Sequence, residues 1–153
     1  MFKKIVVIYM MLCISILCTG CNRRSEFIYE MNVGNMLGKA IKVDVVGLGT
    51  ELDETGSQIT SAILNINITN IGAEDIQLEK DIVISAIQGS MKATLIKNTI
   101  IEGKSLEPQD IGSYEVDFDF RGKGDVRVDF EVDHQIQSFV ITTNYPAKIT
   151  KSS

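Results

Sequence analysis

The sequence predicts an all-β fold, an antiparallel β-sandwich of about seven to eight strands that follows a signal peptide and a short tether. Three observations lead there. Apolar and polar residues alternate with period two through most of the chain beyond residue 40, turn-forming residues interrupt that pattern at short intervals, and no run of ten or more residues carries a helical apolar stripe.

In chain order, Ile41, Val43 and Val45 alternate with Lys42 and Asp44, and Leu64, Ile66 and Ile68 alternate with Asn65, Asn67 and Thr69. Such alternation puts one set of side chains in a core and the other in water, the signature of a half-buried strand. Further β-rich runs are Ile76 to Leu78, Ile82 to Ile87, Ala93 to Ile101, Tyr114 to Phe120, Val126 to Val132 and Ile136 to Thr143. Asn70 to Gly72, Gln88 to Ser90, Gly103 to Lys104, Pro108 to Gly112 and Gly122 to Gly124 supply the turns between them. The domain is thus expected over residues 39–145, with 146–153 a polar tail.

The pattern also predicts a hairpin at residue 122. If Val116, Phe118 and Phe120 share a core face with Val126, Val128, Phe130 and Val132, a three-residue loop Gly122-Lys123-Gly124 pairs Arg121 with Asp125 and Asp119 with Arg127. Gly124 is then free to take the left-handed position of a bulged turn.

Residues 1–20 have the layout of a secretory signal peptide: Lys3 and Lys4, then the 13-residue apolar run Ile5 to Leu17, then small residues. Spanning a bilayer as a helix takes about 20 residues, so the run reads as a cleavable segment, the alternative being an uncleaved anchor. Leu17-Cys18-Thr19-Gly20-Cys21 resembles the lipobox of bacterial lipoproteins. Gly20 matches the small residue before the cut and Cys21 the acylated position, while the leucine stands one place earlier than usual. The resemblance implies a lipid anchor on Cys21 and a domain on the extracytoplasmic face of a bacterial cell membrane. All three cysteines fall within the first 21 residues, so the domain carries neither a disulfide framework nor a cysteine metal site. Residues 21–38 show no clean period and read as a lipidated tether. Arg23 and Arg24 sit beside the anchor, either meeting anionic headgroups or forming an ordinary charged stalk.

The stretch AILNINITNIGAEDIQLEKDIVISAIQGSMKAT, continued by SLEPQDIGSYEVDFDF, resembles the telokin-like, immunoglobulin-like domains of many small lipoproteins of Gram-positive bacteria. The likeness covers roughly residues 38 to 144 and lies in loose strand-and-turn patterns that other sandwiches share. Where that family places Pro-Gly directly before a strand, this chain has three residues between Pro108 and Gly112. The resemblance implies an immunoglobulin-like sandwich that works as a binding or interaction module.

Chemistry is sparsely written in the sequence. His134 is the only histidine, no cysteine remains in the domain, and no serine has a nucleophile-elbow setting, so no catalytic residue, metal site or cofactor is expected. His134 reads as a turn residue. Gly34, Gly38 and the Gly47 to Gly49 segment lack the strand-to-helix setting of a phosphate loop. Without Lys3 and Lys4 the chain carries 13 basic against 20 acidic residues, a net charge of -7, which disfavours nucleic acid as a partner. In the expected hairpin, Asp117 faces Asp129 and Glu115 faces Glu131, with Asp133 beyond. Such an acidic stripe is either a salt-screened solvated face or a face for a cation or a basic partner.

The combined expectation is a cell-surface lipoprotein acting as a non-catalytic protein-interaction or binding module, its partner a surface or envelope protein. Alternatives are an accessory or exclusion lipoprotein of a secretion or conjugation system, and an ion or small-ligand capture protein using the acidic stripe. An exposed apolar patch would favour a protein partner, a concave polar pocket a small ligand.

Overall fold

The computed structural model describes residues 28–143 and 148–151. The strands are β1 (Tyr29–Gly34), β2 (Ala40–Leu52), β3 (Ile59–Asn70), β4 (Ile76–Gln77), β5 (Ile82–Gln88), β6 (Met91–Lys92), β7 (Thr94–Asn98), β8 (Ser105–Leu106), β9 (Ile111–Asp119), β10 (Val126–Val132), β11 (Gln135–Ile141) and β12 (Ile149–Lys151). One helical turn, α1 (Leu78–Asp81), links β4 to β5. Two five-stranded antiparallel sheets, ordered β1-β2-β3-β9-β7 and β12-β11-β10-β5-β6, pack as a sandwich, and β4 pairs with β8 beside them.

Period two explains the core. Ile41, Val43, Val45, Leu64, Ile66 and Ile68 all turn inward from the first sheet and are buried. Val126, Val128, Phe130 and Val132 do so from the second, together with Phe139 and Ile141. Each large apolar side chain removed from water contributes about 1.5–3 kcal/mol, so these two facing rows supply the main driving force of the fold. Phe130 and Phe139 lie with ring centroids 6.4 Å apart, and Tyr29 of β1 reaches across to Phe139 at 5.5 Å.

The hairpin expected at residue 122 does not form. Val116, Phe118 and Phe120 are buried with the β10 residues as anticipated. However, β9 pairs with β3 and β7, whereas β10 pairs with β5 and β11 in the other sheet. Residues 120–125 therefore cross from one sheet to the other. Alternation fixes which face a residue takes and not which strand lies next to it, so a crossover and a hairpin bury the same side chains. Gly124 keeps a positive φ of 90°. Gly122 instead lies against the Gln88 carbonyl, where any Cβ would collide with it.

Both ends of the domain extend past the expected limits. Within the expected tether, β1 pairs in register with β2 from Tyr29↔Val45 to Gly34↔Ala40 and buries Met31 and Val33. Within the expected polar tail, β12 pairs with β11 through Phe139↔Lys151 and Ile141↔Ile149.

Candidate functional site

Gly20 and Cys21, the expected cleavage and lipidation positions, lie outside the described residues, as do Arg23 and Arg24. The acidic stripe is divided by the crossover. Glu115 and Asp117 stand on the outer face of the first sheet, beside Asn65 and Ile63 of β3. Asp129 and Glu131 stand on the outer face of the second, beside Ser85 and Val83 of β5. The two pairs point away from the core in opposite directions, so the expected Asp117–Asp129 and Glu115–Glu131 contacts are absent.

Each fragment has its own partners. Glu115 accepts from Lys97 Nζ at 2.8 Å, and that hydrogen bond holds the lysine's pKa above its usual value. Asp117 is pushed upward by partial burial first and then by the carboxylates of Asp119, Glu115 and Glu51. Asp129 accepts from the Ser138 hydroxyl at 2.6 Å and pairs with Arg127 at 2.9 Å. Among the described residues no group of three or more His, Cys, Asp or Glu side chains is placed to hold a metal ion.

Glu131 and Asp133 belong to a different constellation, at the end of the sandwich where four chain segments converge. The β10–β11 connection is a two-residue hairpin loop, Val132 pairing with Gln135, with Asp133 and His134 both at positive φ (50° and 60°) as a mirror-image turn requires. His134 is 98% exposed, its Nδ1 3.9 Å from Glu131. It occupies the turn expected from the sequence. Lys39, Lys80, Asp81, Val83, Glu131, Asp133 and His134 line an open depression of about 290 Å³.

Lys39 lies 2.7 Å from Asp81. Its pKa is raised by the hydrogen bond to Asp81 and, more weakly, by the charges of Asp81, Glu74 and Asp133. Burial pushes the Asp81 carboxyl upward, but hydrogen bonds from Lys39 and the Gln77 backbone outweigh it and hold the pKa below the usual range. The loop after β1 is drawn against the loop after β3: Ala73 N–H donates to the Gly38 carbonyl at 3.0 Å. Gly72 passes so close to that carbonyl that a side chain at residue 72 would collide with it.

In the loop just before Lys39 stand Met36 and Leu37, 63% and 86% exposed. Their loop is tied by the Asn35 side chain, which accepts the Leu37 N–H at 2.9 Å, and by Gly38 N–H bonding to the Asn35 carbonyl. Sequence reasoning missed these two residues because they fell in the presumed tether. Two adjacent apolar residues in a Gly-framed loop were the available signal.

A second apolar exposure lies on β7, the end strand of the first sheet, where Leu95 is 43% and Ile96 54% exposed. There the ladder is broken by an irregularity between Leu95 and Lys97, and Lys97 projects beside it. A short edge strand with a bulge and a lysine is protected against strand addition.

No family model matches the chain, and no curated protein matches it in sequence. Its fold resembles the crystal structure of a putative lipoprotein from Bacillus subtilis, with a TM-score of 0.52 and 13% identity. The likeness covers 74% of this chain and 38% of that one, so this chain spans about two fifths of that protein's length. At this identity the comparison speaks for a shared fold alone. No described helix is long and apolar enough to cross a membrane.

Proposed function

We propose that the chain is a lipid-anchored lipoprotein of the extracytoplasmic membrane face, and that its sandwich is a non-catalytic module for binding an envelope protein. The anchor reading rests on Lys3, Lys4, the apolar run and the lipobox-like sequence ending at Cys21. It gains support from a neighbour of the same fold whose name includes lipoprotein. The immunoglobulin-like, telokin-like reading is supported by strand order. With the outer strands set aside, β2-β3-β9-β7 follows the A-B-E-D order of an immunoglobulin domain and β11-β10-β5 the G-F-C order.

The observation that carries the interaction reading is the exposure of Met36 and Leu37 at the converged loop end. Loops on a rigid sandwich are where such domains commonly bind. The lone histidine, 98% exposed at a turn tip, offers no sheltered base, which supports a non-catalytic role.

The first test is intact mass and membrane fractionation of the native protein beside Cys21→Ser, expressed in the same bacterium. An acylated, membrane-bound native protein with a shed or unprocessed variant supports the anchor. If both fractionate alike with residues 1–20 attached, the anchor is an uncleaved helix and the lipoprotein reading fails.

A further inference from the structure

Three features at the loop end combine. First, Met36 and Leu37 form an adjacent apolar pair in a loop that is hydrogen-bonded within itself and to the neighbouring loop. A tip held in this way loses little conformational entropy when it is buried by a partner. Second, the surroundings are acidic. Glu74, Asp81, Glu131 and Asp133 outnumber Lys39 and Lys80 around the depression beside the tip loop, and Asp81 already engages the Lys39 ammonium group.

Third, the direction of β1 sets the tip apart from the point where the chain enters the fold. β1 runs toward the tip, and ahead of it Ile28 N–H still pairs with the Val45 carbonyl, so the incoming chain follows β2 from the opposite direction. Six residues of strand separate the entry from the tip, about 20 Å. Cys21 precedes Tyr29 by eight residues, a tether of at most about 28 Å. If Cys21 is lipidated, the tip lies a strand's length beyond the point where the tether enters, where a partner can reach it without contacting the anchor. The surrounding carboxylates also disfavour an anionic lipid surface and a second copy of this acidic chain.

We propose that the Met36–Leu37 tip is the docking point for an envelope protein that offers an apolar pocket rimmed by lysine and arginine. This rests on the interaction-module reading above. Met36 and Leu37 fill the pocket, and Glu74 and Asp133 meet the basic rim, steering the approach and fixing orientation.

The test uses the full-length lipidated chain in the bacterium that carries it, with p-benzoylphenylalanine placed at Leu37 and, in a parallel strain, at Ile96 of β7. The expected result is a protein adduct from position 37 and none from position 96. The crosslinked partner peptide should be apolar and flanked by Lys or Arg. Combining Glu74→Lys with Asp133→Asn, neither of which touches the core, should weaken the complex about tenfold, visible as a matching loss of adduct with unchanged thermal unfolding.

An adduct from position 96 alone overturns the proposal in favour of the β7 edge. A lipid adduct or a self-adduct at 37 overturns the choice of occupant, and an adduct insensitive to the charge changes overturns the basic rim. No adduct at either position from correctly anchored protein overturns the proposal and the interaction-module reading together. Fractionation of the same strains separates that result from a failure of the anchor.

Discussion

The Lys39 ammonium group and the Asp81 carboxylate meet at 2.7 Å, joining the start of β2 to the helical turn before β5. Asp81 simultaneously accepts the Gln77 N–H at 2.7 Å, so one carboxylate closes α1 and ties two loops of the candidate surface. Asp81→Asn should cost about 1.5–3 kcal/mol, since a charged hydrogen-bond partner is lost from a side chain only 13% exposed. Urea unfolding at neutral pH measures it.

The same carboxylate gives a pH dependence. Its folded pKa lies below the ordinary value, so its contribution is complete above the unfolded pKa, about 4, and disappears as pH falls through the folded value. The stability gap between wild type and Asp81→Asn should therefore narrow steadily below about pH 4. A gap that stays constant to pH 2 would show that the carboxylate charge contributes nothing.

Gln109→Gly should stabilise the protein. Pro108 and Gln109 are the central residues of a turn closed by Asp110 N–H bonding to the Glu107 carbonyl, and Gln109 has φ 74°. That position of a type II turn favours glycine, and a side chain there costs about 1 kcal/mol. A rise in melting temperature of several degrees is expected. The domains that the sequence resembles place Pro-Gly directly before a strand, whereas here a glutamine at positive φ follows the proline.

Gly122→Ala discriminates between the crossover and a hairpin. In a solvent-exposed hairpin loop the added methyl would be tolerated, whereas against the Gln88 carbonyl it forces the β5–β6 turn and the crossover apart. A loss of about 1–3 kcal/mol in chemical denaturation is expected.

Asn70→Ala should loosen the loop end. The fully buried Asn70 side chain donates to the carbonyls of Glu74 and Leu106 and accepts the Gly72 N–H. Its removal leaves three backbone groups without that partner, a cost of about 2–3 kcal/mol. Hydrogen exchange should accelerate first at Gly72 and its neighbours, before global unfolding.

The sandwich was legible because its inner rows are strictly alternating: Leu64 to Ile68 and Val126 to Val132 declare their faces residue by residue. Strand neighbours were not legible. Nothing in Val116 to Phe120 distinguishes pairing with β10 from pairing with β3, since either arrangement buries the same phenylalanines. The error carried the acidic stripe with it, because Glu115–Glu131 and Asp117–Asp129 were products of the assumed register. β1 was hidden by Ile28 and Tyr29, adjacent apolar residues that obscure the alternation of Met31 and Val33 with Glu30 and Asn32, and β12 is only three residues long. Of the candidate surface, the His134 turn was visible from its place between two strand patterns. The tip was not, because recognising Met36 and Leu37 as a loop required β1 first.

The placement of β1 also governs how the domain bears mechanical load. If the proposed anchor and docking point hold, a pull on residue 21 and a holdfast at residues 36–37 act at the two ends of this one strand. Tension between the two then runs lengthwise along β1. Both ends of that load lie on one extended strand, so its covalent backbone carries the tension, and the six register pairs from Tyr29↔Val45 to Gly34↔Ala40 are left unloaded. A load of that kind would leave the sandwich core undisturbed, whereas force applied between residue 21 and a later strand would load the β1–β2 ladder itself.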